Sequence, residues 1–524
     1  NAMAAMEIRS GENKNNTNTV WGYVPERGEI LVSPTYPTEI TPVGGTVPIS
    51  WGALDKLYQG GWKNTTITNN YVSFFVTFAY SLKDRYVFNA NVRSDASNRF
   101  GQDANKQFDP TYSFGISWRM AEEEFVKTYL PWLNQLNLRA TYGVQGNVVT
   151  SISPDLITQY QGILPGYNEY YLTISSLPNP LLKWERTKTW NLGLDLQLFN
   201  GISMSLEYYG RRSNAIINQD IAQEYGMNAM KLNGGRIHNH GLEYSVNITP
   251  YQRKDFVWTI GINASKNWNR TQNNDIRTKA DKITKSNFLT GSSDRFLKKG
   301  YPLSAFWSYS FAGLDPETGY PTFNLIDFEE ADPDIDPTTF LVYSGQKDPY
   351  FTGGVNTRAR YKSFSLGVNF SVLLGAKKRL PNPYQNFRHG KLPDPFYNLS
   401  KDLLKRWQKT GDEKHTIYPA LYTSVEDLYN IQLPDGTMSN SIYDMWGQSD
   451  AMVVNASFLR CTQISLSWNM PKQICSKFGA TNCSISANVN NPFVIGSSRF
   501  NGFDPELGDS VMPKIFSFGL SVGF

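Results

Sequence analysis

The stretch Phe516-Ser517-Phe518-Gly519-Leu520-Ser521-Val522-Gly523-Phe524 alternates strictly between two kinds of residue. Each even position is large and apolar, each odd position is serine or glycine, and the stretch ends on phenylalanine. A strand of a membrane β-barrel has lipid on one side and the lumen on the other, so its side chains must alternate along its whole length. The stretch therefore predicts a membrane strand whose lipid-facing row is Phe516, Phe518, Leu520, Val522 and Phe524.

Further segments carry apolar rows of the same kind. These rows run from Val72 to Tyr80, Tyr112 to Trp118, Leu192 to Leu198, Ile202 to Tyr208, Leu242 to Ile248 and Phe364 to Val372. The strands of a soluble β-sandwich also alternate, but they average about 5–6 residues, whereas membrane strands need about 10 residues. We therefore predict an all-β fold, an antiparallel transmembrane β-barrel. The alternative is a soluble β-rich module for carbohydrate binding or adhesion.

The composition agrees with one large membrane architecture. Among 524 residues there are 13 Trp, 30 Tyr and 30 Phe, an aromatic content expected where Trp and Tyr line both membrane interfaces. No apolar run approaches the roughly 18 residues that a transmembrane helix needs. The net charge of +4 is small for this length and gives no reason to expect a nucleic acid partner.

Short and long connections alternate along the chain, as in barrels with short periplasmic turns and long extracellular loops. The short ones lie near 81–84, 199–201, 251–254 and 362–363, and the long ones span about 10–70, 145–183, 269–302 and 375–455. Counting the rows between them predicts roughly fourteen to sixteen strands.

The longest loop carries a pattern typical of a helix. Ser400 is a candidate N-cap, Leu403, Leu404 and Trp407 form an apolar stripe, and Gly411 is placed to end it. This helix is interpreted either as a lid or partner contact or as packing for the loop. Leu403, Trp407 and Trp446 are the candidate residues for contact with a partner or ligand.

Charged residues on lumen-facing positions are the functional candidates of the barrel wall. They are Arg93, Arg139, Asp195, Glu207, Glu243, Arg358 and Arg360. Either they contact a plug or guide a substrate, or they are polar only because they face a water-filled lumen.

No catalytic, cofactor or metal site is predicted. The G-x-S-x-G match at 519–523 lacks the helix that must follow a nucleophile elbow, and His238 and His240 have no accompanying carboxylate or cysteine cluster. The acidic run 332–336 is interpreted as a solvated loop. Three cysteines leave at least one unpaired, and two readings stay open: a Cys475–Cys483 disulfide, or three thiols.

Eight short stretches in sequence resemble the C-terminal barrel half of the SusC/RagA family of TonB-dependent transporters. They are NRFG at 98–101, LNLRATYG at 136–143, NPLLKWE at 179–185, GYPL at 300–303, LDPETG at 314–319, KDPYFTGG at 347–354, NVNNPF at 488–493 and FDPELG at 503–508. The closing phenylalanine also resembles the assembly signal of outer-membrane barrels.

The resemblance implies an outer-membrane importer of glycans or peptides that works with a SusD-like lipoprotein and the TonB complex. Members of this family are about twice as long and form barrels of about twenty-two strands preceded by a plug. The expectation is therefore that residues 1–524 correspond to the C-terminal part of such a barrel, without the plug through which TonB would act and without the first strands.

Two local expectations follow from the phase of the rows. Leu198 and Ile202 must both face lipid, so the connection Phe199-Asn200-Gly201 should be a three-residue turn with Gly201 in the left-handed conformation. The closing strand should pair with the strand around 485–489.

Overall fold

The computed structural model describes residues 1–17, 23–24, 30–31, 63–98, 108–147, 149, 152, 154–164, 167, 169–199, 201–221, 223–227, 229–272, 299–325, 341–384, 398–421 and 441–524. Within them, fourteen antiparallel strands form one sheet in strict chain order. The prediction of a large antiparallel sheet is confirmed, and the strand count is within the expected range. In the described residues no helix is long and apolar enough to cross a membrane.

We number the strands of this sheet β1 to β14. Their bounds are Ala2–Thr17, Lys63–Leu82, Tyr86–Ser97, Phe108–Arg119, Leu133–Asn147, Glu185–Leu198, Ile202–Asp220, Ala229–Gln252, Phe256–Thr271, Phe351–Tyr361, Phe364–Leu374, Phe458–Asn469, Asn482–Gly496 and Ile515–Gly523. Neighbours along the chain are neighbours in the sheet. In the part of the chain that is described, no ladder joins β1 to β14, so both are edges of an open sheet.

Smaller elements occupy the connections. In the described residues the α-helices are α1 (Glu124–Tyr129), α2 (Ile442–Gly447) and α3 (Lys472–Cys475). Two-stranded ladders pair Tyr23–Val24 with Ile30–Leu31, Ile157–Leu164 with Glu169–Ser176, Ala305–Tyr309 with Leu341–Gln346, Phe311–Leu314 with Pro321–Phe323, and Lys377–Arg379 with Val453–Asn455.

The register places the apolar rows of all fourteen strands on one face. Residues directly opposite in an antiparallel ladder project to the same side, and apolar residues meet apolar residues across strand after strand. One such row runs Leu138, Leu194, Leu206, Tyr244 and Ala264 across β5 to β9. Trp258 and Trp268 bound the apolar face of β9. The ten residue steps from Trp258 to Trp268 span about 33 Å along the strand, or about 25 Å across a membrane at a 40° tilt, which matches the apolar band of outer-membrane barrels.

The closing strand pairs as expected with β13. Leu520 lies opposite Ile485, and Phe516 lies opposite Val489. Phe518 and Phe524 are among the most exposed apolar side chains of the chain. The closing row therefore continues the apolar face to the edge of the sheet.

The turn after β6 has the predicted length but not the predicted conformation. Leu198 pairs directly with Ile202, so three residues connect the strands. The left-handed residue is Phe199, with φ of +49°, and Gly201 lies outside the left-handed region, so this prediction was wrong. A Cβ at Gly201 would lie 3.2 Å from the carbonyl oxygen of Thr249, and close approach to β8 explains the glycine instead. Asn200 and the acidic run 332–336 are outside the described residues.

The predicted loop helix is shorter than expected. Ser400 caps a 3₁₀ helix, Lys401–Lys405, by accepting a hydrogen bond from the backbone of Asp402. The helix ends before Trp407, because the Trp407 N–H donates to the carbonyl of Tyr418 instead of an intrahelical oxygen. Gly411, with φ of +104°, precedes a second short 3₁₀ helix, Asp412–Lys414, and does not end the first. The three cysteines are buried free thiols.

Candidate functional site

The face opposite the apolar rows carries the predicted lumen-facing charges. By register, Arg93, Arg139, Asp195, Glu207, Glu243, Arg358 and Arg360 all lie on this polar face. They fall into three groups along the sheet: one around Arg93 on β1 to β3, one around Arg139 on β5 to β8, and the two arginines of β10.

Arg139 is the centre of an ion-paired cluster. Its guanidinium donates to both carboxylate oxygens of Asp195, at 2.9 and 3.1 Å, and to Glu207 at 2.9 Å. Asn191 and Ser205 complete the bonding of these two carboxylates, at 3.0 and 2.9 Å. Three adjacent strands are thus joined by charged hydrogen bonds on their polar face, which fixes the positions of the side chains.

Glycine in β6 makes this arrangement possible. A Cβ at Gly193 would lie 3.1 Å from Cζ of Arg139, so the guanidinium can cross β6 only because this residue has no side chain. The next strand adds Glu243 directly opposite Glu207. With one arginine and three carboxylates, this cluster is net negative. Beside it, Glu207 and Glu243 also line a polar depression of about 600 Å³.

Arg93 forms a second cluster at the other end of the sheet. It donates to Asp95 at 2.6 Å, to Glu7 at 3.0 Å and to the hydroxyl of Ser73 at 2.8 Å. These partners lie on β1, β2 and β3. As around Arg139, one guanidinium holds acidic groups from neighbouring strands in fixed positions.

Arg358 and Arg360 differ from the other arginines. Both are exposed on β10, and within the described residues neither forms an ion pair through its side chain. Their opposite residues in β11 are Gly367 and Ser365, which bring no counter-charge. Among the predicted lumen-facing residues, these two cations remain available to an incoming anionic group.

The candidate loop residues lie mainly inside a hydrophobic core. This loop core joins the connections at 299–325, 375–457 and 497–514, and its members include Leu380, Tyr384, Leu403, Tyr418, Ile442, Tyr443, Trp446, Met452 and Phe500. Trp446 is fully buried, and its indole N–H donates to the carbonyl of Ile417. Leu403 is also buried, and Trp407 packs over Gly319. In this arrangement Leu403 and Trp446 pack in the loop core and hold the loops together.

Burial changes the ionisation of the phenols and the arginine that support this core. Burial raises the pKa of Tyr309 to about 12, and it also raises the pKa of Tyr384. It lowers the pKa of Arg379 to about 10, although its guanidinium donates to Trp307 and Ser308. All three groups keep their ordinary charge at neutral pH, and Tyr384 and Arg379 act as fixed donors, the phenol to the carbonyl of Pro419.

A buried ion pair that the sequence reasoning missed attaches the last loop to the sheet. Arg460 of β12 donates two hydrogen bonds to the carboxylate of Asp504, at 2.7 and 2.8 Å, and one to Glu506 at 2.9 Å. Although burial alone would raise the pKa of Asp504, the hydrogen bonds from Arg460 and from the Glu506 backbone hold it below its usual value. An arginine within β12 and the FDPELG stretch were the available signals. In the described part of the chain, no three His, Cys, Asp or Glu residues are grouped to hold a metal.

The comparisons with known proteins agree with this geometry. The family model described as TonB dependent receptor-like, beta-barrel matches residues 11–377. The TonB-dependent receptor SusC of Bacteroides thetaiotaomicron is 28% identical over 87% of this chain and 44% of its own length. TonB-dependent receptor P3 of Formosa agariphila is 25% identical over 83% of this chain and 42% of its own length.

Solved structures show the same fold. The structure of the RagAB peptide importer in the closed-closed state covers 100% of this chain with a TM-score of 0.73 at 20% identity, and 53% of that chain is matched. The chain thus spans about half the length of the proteins it matches.

Proposed function

This chain belongs to the TonB-dependent receptor-like β-barrel family and lies in the outer membrane, and we propose that it forms wall and extracellular loops of an active nutrient importer. The observation that carries the proposal is the two-faced sheet. One face is apolar across fourteen strands, and the other holds hydrogen-bonded charges. Such a wall separates lipid from a water-filled lumen. Family membership disfavours the alternative, a soluble β-rich carbohydrate-binding or adhesive module.

We propose that residues 1–524 are the C-terminal part of a longer barrel of about twenty-two strands. The unpaired backbone groups along β1 and β14 support this, because each such group exposed to lipid costs several kcal/mol. Strands from the same protein would close the barrel against these edges. A plug in the same protein would connect the barrel to the TonB complex.

We propose a glycan or a peptide as the substrate and a SusD-like surface lipoprotein as the partner. SusC is a relative, and RagAB is a peptide importer with the same fold. The long connections gather at one rim, where the loop core gives them a fixed surface. This rim would be extracellular, and the partner would dock on it.

The lumen-facing charges have two proposed roles. The pairs of Arg93 and Arg139 keep the wall rigid while a substrate passes, whereas Arg358 and Arg360 remain available to contact a plug or an anionic part of the substrate. Replacing both Arg358 and Arg360 by glutamine should therefore change uptake without changing barrel insertion.

Transport is tested with the full-length protein in its own host. Deletion of the gene should abolish uptake of one labelled nutrient class, either oligosaccharides or oligopeptides, and an uncoupler of the proton-motive force should have the same effect on the parent strain. Uptake that persists in both conditions would refute active import.

Partner docking is tested on an exposed residue of the loop rim. Leu404 is 77% exposed beside the buried Leu403, so Leu404→Asp adds a charge to the docking surface without touching the core. It should reduce copurification of the lipoprotein. Phe478→Asp, at a side chain 70% exposed on the opposite rim, is the matched control, and equal retention of the lipoprotein by both variants would contradict the proposed docking surface.

A further inference from the structure

Four residues form a basic row across strands β6 to β9. Lys188 lies directly opposite Arg212, Arg212 opposite His238, and His238 opposite Arg270. Direct partners in antiparallel ladders project to the same side of the sheet. We call Lys188, Arg212, His238 and Arg270 the basic row.

The basic row lies on the apolar face of the sheet. Two positions closer to its middle are Trp190, His240 and Trp268. Two positions further are the lipid-facing Leu192, Tyr208 and Leu242, together with Lys266 of β9, whose ammonium lies over the Trp268 ring at 4.9 Å. The ring of His240 stacks on Trp268 with centroids 5.1 Å apart, and Trp190 contacts Tyr208 edge-on at 5.2 Å. On β6 to β8 the order from the middle of the membrane is therefore apolar residues, an aromatic girdle, and then cations, which is the depth of lipid headgroups.

The cations of this row have no protein counter-charge. Lys188, Arg212 and Arg270 are exposed, and in the described ranges none of them forms an ion pair or a side-chain hydrogen bond. Among the described residues, His238 makes one side-chain hydrogen bond, a long one of 3.4 Å with the amide of Gln272. Guanidinium and ammonium groups at a membrane surface are attracted to anionic headgroups.

A cavity directly beyond the row extends the positive surface. It measures about 550 Å³, and its lining includes Lys183, Arg186, Arg236 and Asn214. Arg186, Asn214 and Arg236 continue the register of the row by one step toward the loops. The one carboxylate of the lining, Asp109, is already ion-paired with Arg186 at 3.0 Å.

We propose that the basic row binds the phosphate groups of a phosphorylated glycolipid in the outer leaflet of the outer membrane. The acyl chains would lie against the apolar rows and the girdle, while the phosphates reach Lys188, Arg212 and Arg270. A lipid fits better than free phosphate because the row is continuous with the lipid-facing surface. The inference rests on the proposed orientation, in which the long connections are extracellular.

The test measures binding of fluorescently labelled lipid A to the full-length protein in neutral detergent. Three probes are compared: phosphorylated lipid A, the same lipid A after enzymatic removal of its phosphates, and inorganic phosphate as a competitor. The variant is Lys188→Gln/Arg212→Gln/Arg270→Gln. The control, Lys254→Gln/Lys362→Gln/Lys477→Gln, removes the same charge from exposed residues at the opposite rim.

Phosphorylated lipid A should bind the parent protein, and the triple variant should raise its Kd about 100-fold, at roughly fivefold per cation. The control should change Kd less than about threefold. Should the triple variant not fold, Arg212→Gln alone should raise Kd about fivefold.

Equal binding of dephosphorylated lipid A, equal loss in the control, or displacement by millimolar inorganic phosphate would overturn the proposal. Substrate uptake by the same variants reports separately on import, so a failure of lipid binding is distinguishable from a failure of the proposed function.

Discussion

Removing the carboxylate of Asp504 is expected to release the loop at 497–514 from the sheet. Both partners of the pair are buried, with side chains of Arg460 and Asp504 only 5% and 3% exposed. Asp504→Asn leaves a buried guanidinium without its main counter-charge, and breaking a buried pair in this way costs about 3–5 kcal/mol. Because Glu506 remains 2.9 Å from Arg460 and is half exposed, we expect the lower end, about 3 kcal/mol, or about 150-fold in the opening equilibrium.

Hydrogen exchange of the full-length protein in detergent measures this opening. Protected amides in peptides covering 497–514 should exchange about 150-fold faster in Asp504→Asn than in the parent protein. Asp509→Asn is the matched control, because Asp509 is exposed in the same loop and bonds to its neighbour Ser510. The reasoning is refuted if both variants exchange at the same rate. The double variant Arg460→Met/Asp504→Leu should regain protection, since no buried charge is then left alone.

Four further outcomes are expected. Gly193→Val should displace the Arg139 guanidinium and reduce the stability of the barrel by about 1–3 kcal/mol. On gels, the variant should change from its folded to its unfolded mobility at a lower heating temperature than the parent protein, and an unchanged temperature would contradict the close contact. Trp446→Ala should cost about 3–5 kcal/mol within the loop core, so the loops should become protease-sensitive while the barrel stays resistant. Deletion of Phe524 should lower the amount of folded protein in the outer membrane, and normal accumulation would show that the assembly role is wrong. Because the pKa of Asp504 is lowered by folding, its stabilisation is complete above the ordinary value of about 4 and is lost as pH falls below it; loop protection that already declines at pH 6, after correction for intrinsic exchange, would exclude this pair as the cause.

The sheet could be predicted from the sequence because its signal is local. Alternation with period two determines which residues share a face, and the direct pairing of Leu198 with Ile202 and of Ile485 with Leu520 follows from that phase and from short turns. The lumen-facing charged residues of the polar face could be placed for the same reason. Their individual partners could not, because Arg139, Asp195 and Glu207 come from three strands whose relative shift the sequence does not state.

The loops could not be predicted because their structure depends on contacts distant in sequence. Trp446 reads as an isolated loop aromatic, yet it is buried against Tyr384 and Tyr418 from other parts of the chain. The segment from Ser400 to Gly411 satisfies the local rules for a helix. The helix nevertheless ends early, because the Trp407 N–H donates to the distant carbonyl of Tyr418. The sequence predicts a left-handed conformation at Gly201, whereas the structure requires a small residue there because the backbone of Thr249 lies close by.

The length of β8 sets how far the loops stand from the bilayer. Its 24 residues extend about 79 Å along the strand, or about 60 Å in height at a 40° tilt. The apolar band occupies about 25 Å of this height, and β8 ends at a short turn near the lower girdle. The hairpin of β7 and β8 thus extends some 30 Å above the hydrocarbon layer. In the proposed orientation, a change of loop conformation at its top would take place in the aqueous space outside the cell, where lipid would neither resist the motion nor have to rearrange for it.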